Sequence, residues 1–244
     1  MNDEFYIGYE PEMPAQLAGR IRHVARGLVA LALVMAAALV FAQNRFTAGV
    51  FEYGRPRTLS GRLVESPYPA LVVDDVAGAT RAYWLVGPGK HGAEDLVRGR
   101  DGRRVRLSGS LIERAGDAMI EVIPDSLVMI GAAVTAPEPM RSLGAIVVDG
   151  EIVDSKCHLG VMKPGEGPTH RDCAVRCLLG RIPPMFVPHD PGGLGRLSLV
   201  TEAAQPFASA DLFAGKRVSV RGEILQRGPQ KFFAVSRRDV RLID

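Results

Sequence analysis

Two stretches of this 244-residue chain are versions of one another. The run GRRVRLSGSLIERAGDAMIEVIPDSLVMI, starting at Gly102, aligns with GKRVSVRGEILQRGPQKFFAVSRRDVRLI, starting at Gly215. One offset pairs Val105 with Val218, Gly109 with Gly222, Arg114 with Arg227 and Ile130 with Ile243. Upstream, SGRLVES (60–66) matches DGEIVDS (149–155), and YWLV (83–86) matches LSLV (197–200), but the offset lengthens between Ser155 and Leu197. The second copy therefore carries added residues. All of the cysteines, Cys157, Cys173 and Cys177, and two of the histidines, His158 and His170, lie in that addition.

Within the copies, Val105, Leu107, Gly109 and Leu111 alternate with Arg104, Arg106, Ser108 and Ser110, a period of two that turns one face of a strand inward. Val218, Val220, Gly222 and Ile224 repeat the pattern, and the mid-strand Gly109 and Gly222 mark a bulge or sharp bend. Short strands, polar turns and a bent central strand predict a mainly β chain of two duplicated small OB-like barrels. A sandwich half or an SH3-like barrel is the competing arrangement. The boundaries read as 47–133 for the first barrel, 134–145 for a proline-bearing linker and 146–244 for the second barrel, with a Cys/His loop-helix insertion at 156–190. The first copy has no cysteine and only His91, and reads as a spacer, brace or docking surface.

Residues 27–43, GLVALALVMAAALVFAQ, carry no charge. At about 1.5 Å per residue they cover roughly 25 Å, the short end of the spanning range, and Arg26 and Arg45 can snorkel at the ends. A buried core helix would show a polar stripe, and this segment has none. Arg20, Arg22 and Arg26 precede it while only Arg45 follows closely, so the positive-inside rule keeps residues 1–26 cytoplasmic and sends residues 47–244 across a bacterial inner membrane into the periplasm. Cleavage after Ala42 as a signal peptide competes, but the leader EFYIGYEPEMP is long and not basic, which favours an uncleaved anchor in the lipid bilayer. The net charge of +3 is small and dispersed, and neither copy pairs an aromatic platform with basic neighbours, which argues against nucleic-acid binding.

The insertion carries the chemistry. Thr169 with Asp172 fits a capping box that starts a helix at His170, while Gly180 and the Pro183-Pro184 pair end it after Leu179. His170, Cys173 and Cys177 then share one helix face, and the glycine-proline loop GVMKPGEGP returns Cys157 toward it. Cys157, His170, Cys173 and Cys177 form a Cys3His ligand set suited to zinc or copper. His158 and Met162 would enlarge a copper site, since imidazole and thioether suit Cu(I), or else they simply pack in the loop. His189 and Asp190 read as a supporting pair behind the ligands, or as a turn. Two other states stay open. One is a disulfide from Cys157 to Cys173 or Cys177, contributing about 3 kcal/mol and leaving one thiol over. The other is a redox-active pair of Cys173 and Cys177. No C-x-x-C-H is present for covalent haem, and the thiols are too few for an iron–sulfur cluster. There is no G-x-S-x-G elbow, phosphate-binding loop or dinucleotide fingerprint, so an enzyme is the less favoured class. The segment GPGKHG (87–92) reads as a turn, and Glu151 and Asp154 as solvated strand-end carboxylates.

Residues 150–187 resemble a signature of uncharacterised bacterial exported and membrane-anchored proteins, G-x-x-V-D-x-K-C followed by H-x-x-C-A-x-x-C and then G-x-P. The matching positions are Asp154, Lys156, Cys157, His170, Cys173, Ala174 and Cys177, and Arg181 stands where a second glycine is usual. The resemblance implies an exported module and supplies no mechanism. Three functions are compatible with these residues. The first is a periplasmic accessory or binding protein assisting a membrane redox complex. The second is a thiol–disulfide or electron-transfer protein, and the third a purely structural subunit of a membrane protein complex.

Overall fold

A computed structural model describes residues 13–44, 49–74, 79–133, 138–190 and 193–243. The leader up to residue 12, Arg45 and linker residues 134–137 lie outside the described residues. The chain forms two units, split after Thr47. The first holds helix α1 (Ala15–Asn44), 30 residues long and without an acidic residue in its first turn. Its most apolar stretch has a mean hydropathy of 2.4, and it is long and apolar enough to cross a membrane. The helix thus begins well before the uncharged segment 27–43 and carries Arg20, Arg22 and Arg26 on its first turns.

The second unit is mainly β. Strand β1 (Gly49–Phe51) leads into β2 (Arg57–Val64), β3 (Ala70–Asp74) and β4 (Thr80–Val86). A short helix α2 (Glu94–Val97) precedes β5 (Arg103–Arg114), β6 (Asp117–Val122) and β7 (Val128–Ala133). Five of these strands close into a barrel in the order β5-β2-β3-β4-β6, with β6 returning to β5, while β1 and β7 add to β5. The β4–β6 pairing is parallel and the other pairings are antiparallel. The second barrel uses β8 (Arg141–Asp154), β9 (Pro184–Pro188), β10 (Leu197–Val200), β11 (Arg217–Arg227) and β12 (Gln230–Leu242), in the closed order β10-β12-β11-β8-β9. Here β10–β12 is the parallel pair. Strand for strand, β2, β3, β4, β5 and β6 correspond to β8, β9, β10, β11 and β12, which is the OB-type arrangement. The sequence matches at 60–66/149–155 and 83–86/197–200 fall on corresponding strands.

Both mid-strand glycines sit where two strands cross too closely for a side chain. A Cβ on Gly109 would lie 2.4 Å from the Glu121 carbonyl oxygen, and one on Gly222 would lie 2.4 Å from that of Ala234. At Gly109, β5 passes from β2 to β6, and beside Gly222 the register of β11 against β12 slips. Two boundaries differ from the sequence reading. β8 starts at Arg141, inside the expected linker 134–145. β9, inside the expected insertion 156–190, is a barrel strand, so the added segment ends before Pro184.

Alternation along the strands explains how the barrels join. Leu63, Leu85, Val105, Leu107 and Ile120 fill the interior of the first barrel, and Ile152, Phe186, Leu199, Val218 and Phe233 fill that of the second. Their immediate neighbours Val64, Trp84, Val86, Met119, Phe232 and Ala234 point the other way, yet they are buried too, in a third core between the barrels. Each large apolar side chain fully buried there contributes roughly 1.5–3 kcal/mol, so the interface is a core and not a loose contact. Trp84 meets Tyr68 and Phe232 edge to face, at 6.2 and 5.7 Å. Tyr68 spans the joint: its hydroxyl donates to the Leu199 carbonyl at 2.5 Å and accepts the Phe207 N–H at 2.9 Å.

Candidate metal centre

The cysteines lie where the chain leaves β8. A wide turn at Cys157–Val161 is followed by a 3-10 turn at Pro168–His170 that feeds helix α3 (Arg171–Leu179). Thr169 does not cap this helix. His170 holds the N-cap position in helical conformation, without a side-chain cap, because the preceding 3-10 turn already supplies the entry geometry. At the other end Gly180 has an ordinary negative φ, and the left-handed residue is Arg181 at φ 70°. Gly180 is required for a different reason: a Cβ there would sit 1.8 Å from the Lys90 carbonyl oxygen of the first barrel.

Cys173 and Cys177 stand one turn apart on α3. The Cys157 sulfur lies 4.0 Å from each, and all three sulfurs fall within 4.8 Å of one another. Cys157 and Cys177 are buried and Cys173 is half-buried. All three are free thiols, well beyond the S–S bond length of about 2.05 Å. The Lys90 ammonium donates to the Cys173 sulfur at 2.7 Å and lies 3.6 Å from that of Cys177. Electrostatics divides the group. Its hydrogen bond with Cys177, burial and the Asp154 carboxylate push the Cys157 thiol far above its ordinary range. The bond from Cys157 and the nearby Lys90 charge pull Cys177 down. Lys90 itself is raised, chiefly by its bond to Cys173. The two shifts run in opposite directions, so of this pair Cys177 is the one that loses its proton first.

His170 is buried here but does not complete the three-sulfur group. Its ring falls in a second group with Asp154 and Cys157, and its Nε2–H donates to the Asp154 Oδ2 at 2.9 Å. The other oxygen of Asp154 accepts the Cys157 backbone N–H at 2.8 Å. Asp154 is fully buried, which corrects the solvated reading: two N–H donors hold it at the strand end. Glu151, half-buried, accepts the Gly167 N–H at 2.6 Å, and burial raises its pKa.

The other expected ligands go elsewhere. His158 is buried with its Nδ1 3.1 Å from Glu166 and 3.4 Å from Arg114, so these groups engage the ring and not the sulfurs. Burial lowers the His158 pKa, and the bond to His158 lowers that of Glu166. Met162 is 45 % exposed. His189 and Asp190 are exposed beyond Pro188, which pairs with Gly150, whereas Asp154 pairs with Pro184 at the opposite end of the β8–β9 ladder. It is Asp154 whose two oxygens meet the His170 ring and the Cys157 backbone N–H.

Sequence reading also missed what the first barrel supplies. The turn Gly87–Gly92 delivers Lys90, and its Gly87 and Gly89 carbonyls accept the buried Lys156 ammonium at 2.9 and 2.6 Å. Lys156 also pairs with Glu121 of β6. Lys156 is flanked by Asp154, Ser155 and His158 in the sequence, so its burial and its partners on the first barrel appear only in the fold.

No known protein family, no curated protein and no solved structure matches this chain. Its fold and site define a two-barrel β protein with an N-terminal helix of membrane-spanning length, carrying a Cys/His cluster at the joint between the barrels.

Proposed function

We propose that the chain is a single-pass accessory protein of the bacterial inner membrane that holds one thiophilic metal ion on Cys157, Cys173 and Cys177. The grouping of the sulfurs carries this reading: Cys157 lies 4.0 Å from each of the other two and all three fall within 4.8 Å, while three thiolates each about 2.3 Å from one ion lie roughly 3.8 Å apart. With His170 committed to Asp154, the set is three soft donors. That suits Cu(I), or Zn(II) with one exchangeable position. Lys90 offsets part of the thiolate charge, and Asp154 fixes Cys157 through its backbone. The arginines before the apolar segment support a cytoplasmic N-terminus and periplasmic barrels. The signature at 150–187 fits an exported protein, and a soft-metal site in that location suits assistance to a membrane redox complex.

Full-length protein in non-ionic detergent, purified without oxygen, is measured by intact mass with and without chelator and alkylating agent. One zinc or copper per chain, with three alkylatable thiols after its removal, is expected. A metal-free chain holding a disulfide overturns the reading. Such a result would favour thiol–disulfide chemistry, for which the Lys90–Cys173 contact and the place of Cys173 in the first turn of α3 are the specific support.

A further inference from the structure

At the end of the interface away from the sulfurs, a cleft of about 360 Å³ opens between the barrels, and one of about 190 Å³ adjoins it. They share Thr80, Pro229 and Gln230. Thr80 begins β4, and Val86, its last residue, abuts the turn that carries Lys90. At about 3.3 Å per strand residue Thr80 lies roughly 20 Å from Val86, while the larger cleft extends along the strand as far as Trp84.

Two buried donors here lack acceptors. Gln230 is 6 % exposed and its Nε2 has no hydrogen-bond partner, and the same holds for the buried Nη2 of Arg227. The Arg227 guanidinium lies over the Phe232 ring, 5.6 Å from its centre, which fixes it in place without neutralising it. It makes no close ion pair among the described residues; burial lowers its pKa, and the more distant carboxylates of Asp101 and Glu138 only partly oppose that shift. Folded chains seldom leave a guanidinium and a carboxamide N–H unpaired in one place unless something else supplies the oxygens. Arg62 and Lys231 add positive charge to the lining. The carboxylate facing it in the larger cleft, Asp117, is already taken by Arg196. In the smaller cleft stands Glu138.

We propose that this inter-barrel cleft binds a small oxyanion, a phosphate, sulfate or carboxylate group, through the Arg227 guanidinium and the Gln230 carboxamide. A guanidinium fork with a neighbouring N–H matches two oxygens of such a group. The anion is either free in solution or the phosphate of a lipid headgroup.

Trp84, the single tryptophan of the chain, lines the larger cleft and touches Phe232, so its fluorescence reports binding directly. Full-length protein in non-ionic detergent is titrated with inorganic phosphate, sulfate and acetate at constant ionic strength, with chloride as reference. A saturable change with at least one oxyanion and none with chloride is expected. Arg227→Met should weaken it about tenfold or more, and Gln230→Leu by a smaller factor. Neither variant should melt below the wild type, because each deletes an unpaired buried group, whereas removing a merely structural arginine would lower the melting temperature. Nanodiscs of phosphatidylglycerol give the second arm: saturation by lipid alone assigns the headgroup, and saturation by soluble anion assigns the free ligand. Cys157→Ser should bind as the wild type does, which separates this site from the metal site. Silence of Trp84 in both arms, or wild-type affinity in Arg227→Met, overturns the proposal.

Discussion

The Nζ of Lys90, on a turn of the first barrel, donates to the Sγ of Cys173, on a helix of the second, across 2.7 Å. A cation from one barrel thus rests on a thiol of the other, and neither barrel alone contains the whole site.

Replacing that cation by a neutral side chain of similar length, Lys90→Met, should raise the pKa of the Cys177 thiol, which the Lys90 charge pulls down. Each unit of that rise slows alkylation at neutral pH about tenfold. Alkylation rate against pH, measured on chelated protein, checks this. An unchanged profile would show the contact to be electrostatically idle.

The three sulfurs and the imidazole should not behave alike. Cys157→Ser, Cys173→Ser and Cys177→Ser should each abolish stoichiometric metal, as each deletes a ligand. His170→Ala should retain metal but weaken it about 10–100-fold, because it releases Asp154, which orients Cys157. Competition against a chromogenic chelator separates the two outcomes.

Gly180→Ala should destabilise the protein by about 1–3 kcal/mol, since the new methyl would have to displace the backbone of Lys90. The same displacement should move Lys90 off the thiols, so the variant should melt earlier and also repeat the alkylation defect of Lys90→Met.

Tyr68 supplies a pH test of the joint. Burial pushes its phenol above its ordinary value of 10.0. A raised folded-state pKa means that the stabilisation is complete below the unfolded pKa and is lost as pH rises beyond about 10. Melting temperature should therefore fall above that pH more steeply in the wild type than in Tyr68→Phe. At neutral pH the variant should be less stable by about 1–3 kcal/mol, because the Phe207 N–H and Leu199 carbonyl lose their shared partner.

The barrels are legible in sequence because their strands obey a period of two. Val105, Leu107 and Leu111 turn inward as that period requires, and Gly109 and Gly222 mark the bends. Their close association is written less openly, in runs such as Trp84-Leu85-Val86 where both faces are apolar, a sign that a second surface covers the strand. In the site, the sulfurs meet through local geometry: a one-turn spacing on α3 and a turn that folds Cys157 back. Asp154 was misread because strand-end carboxylates are usually wet, and this one becomes dry only when His170 arrives from the insertion. Lys90 leaves no local trace at all, since only the packing of two barrels brings residues so distant in sequence together.

Trp84, Met119 and Phe232 have a practical corollary. A protease nick or an engineered cut in the 134–145 region would strip the cover from a broad apolar surface on each half, and the fragments should clump instead of persisting as soluble modules. The two barrels share one buried core, so removing either of them would leave the other with an apolar face open to water.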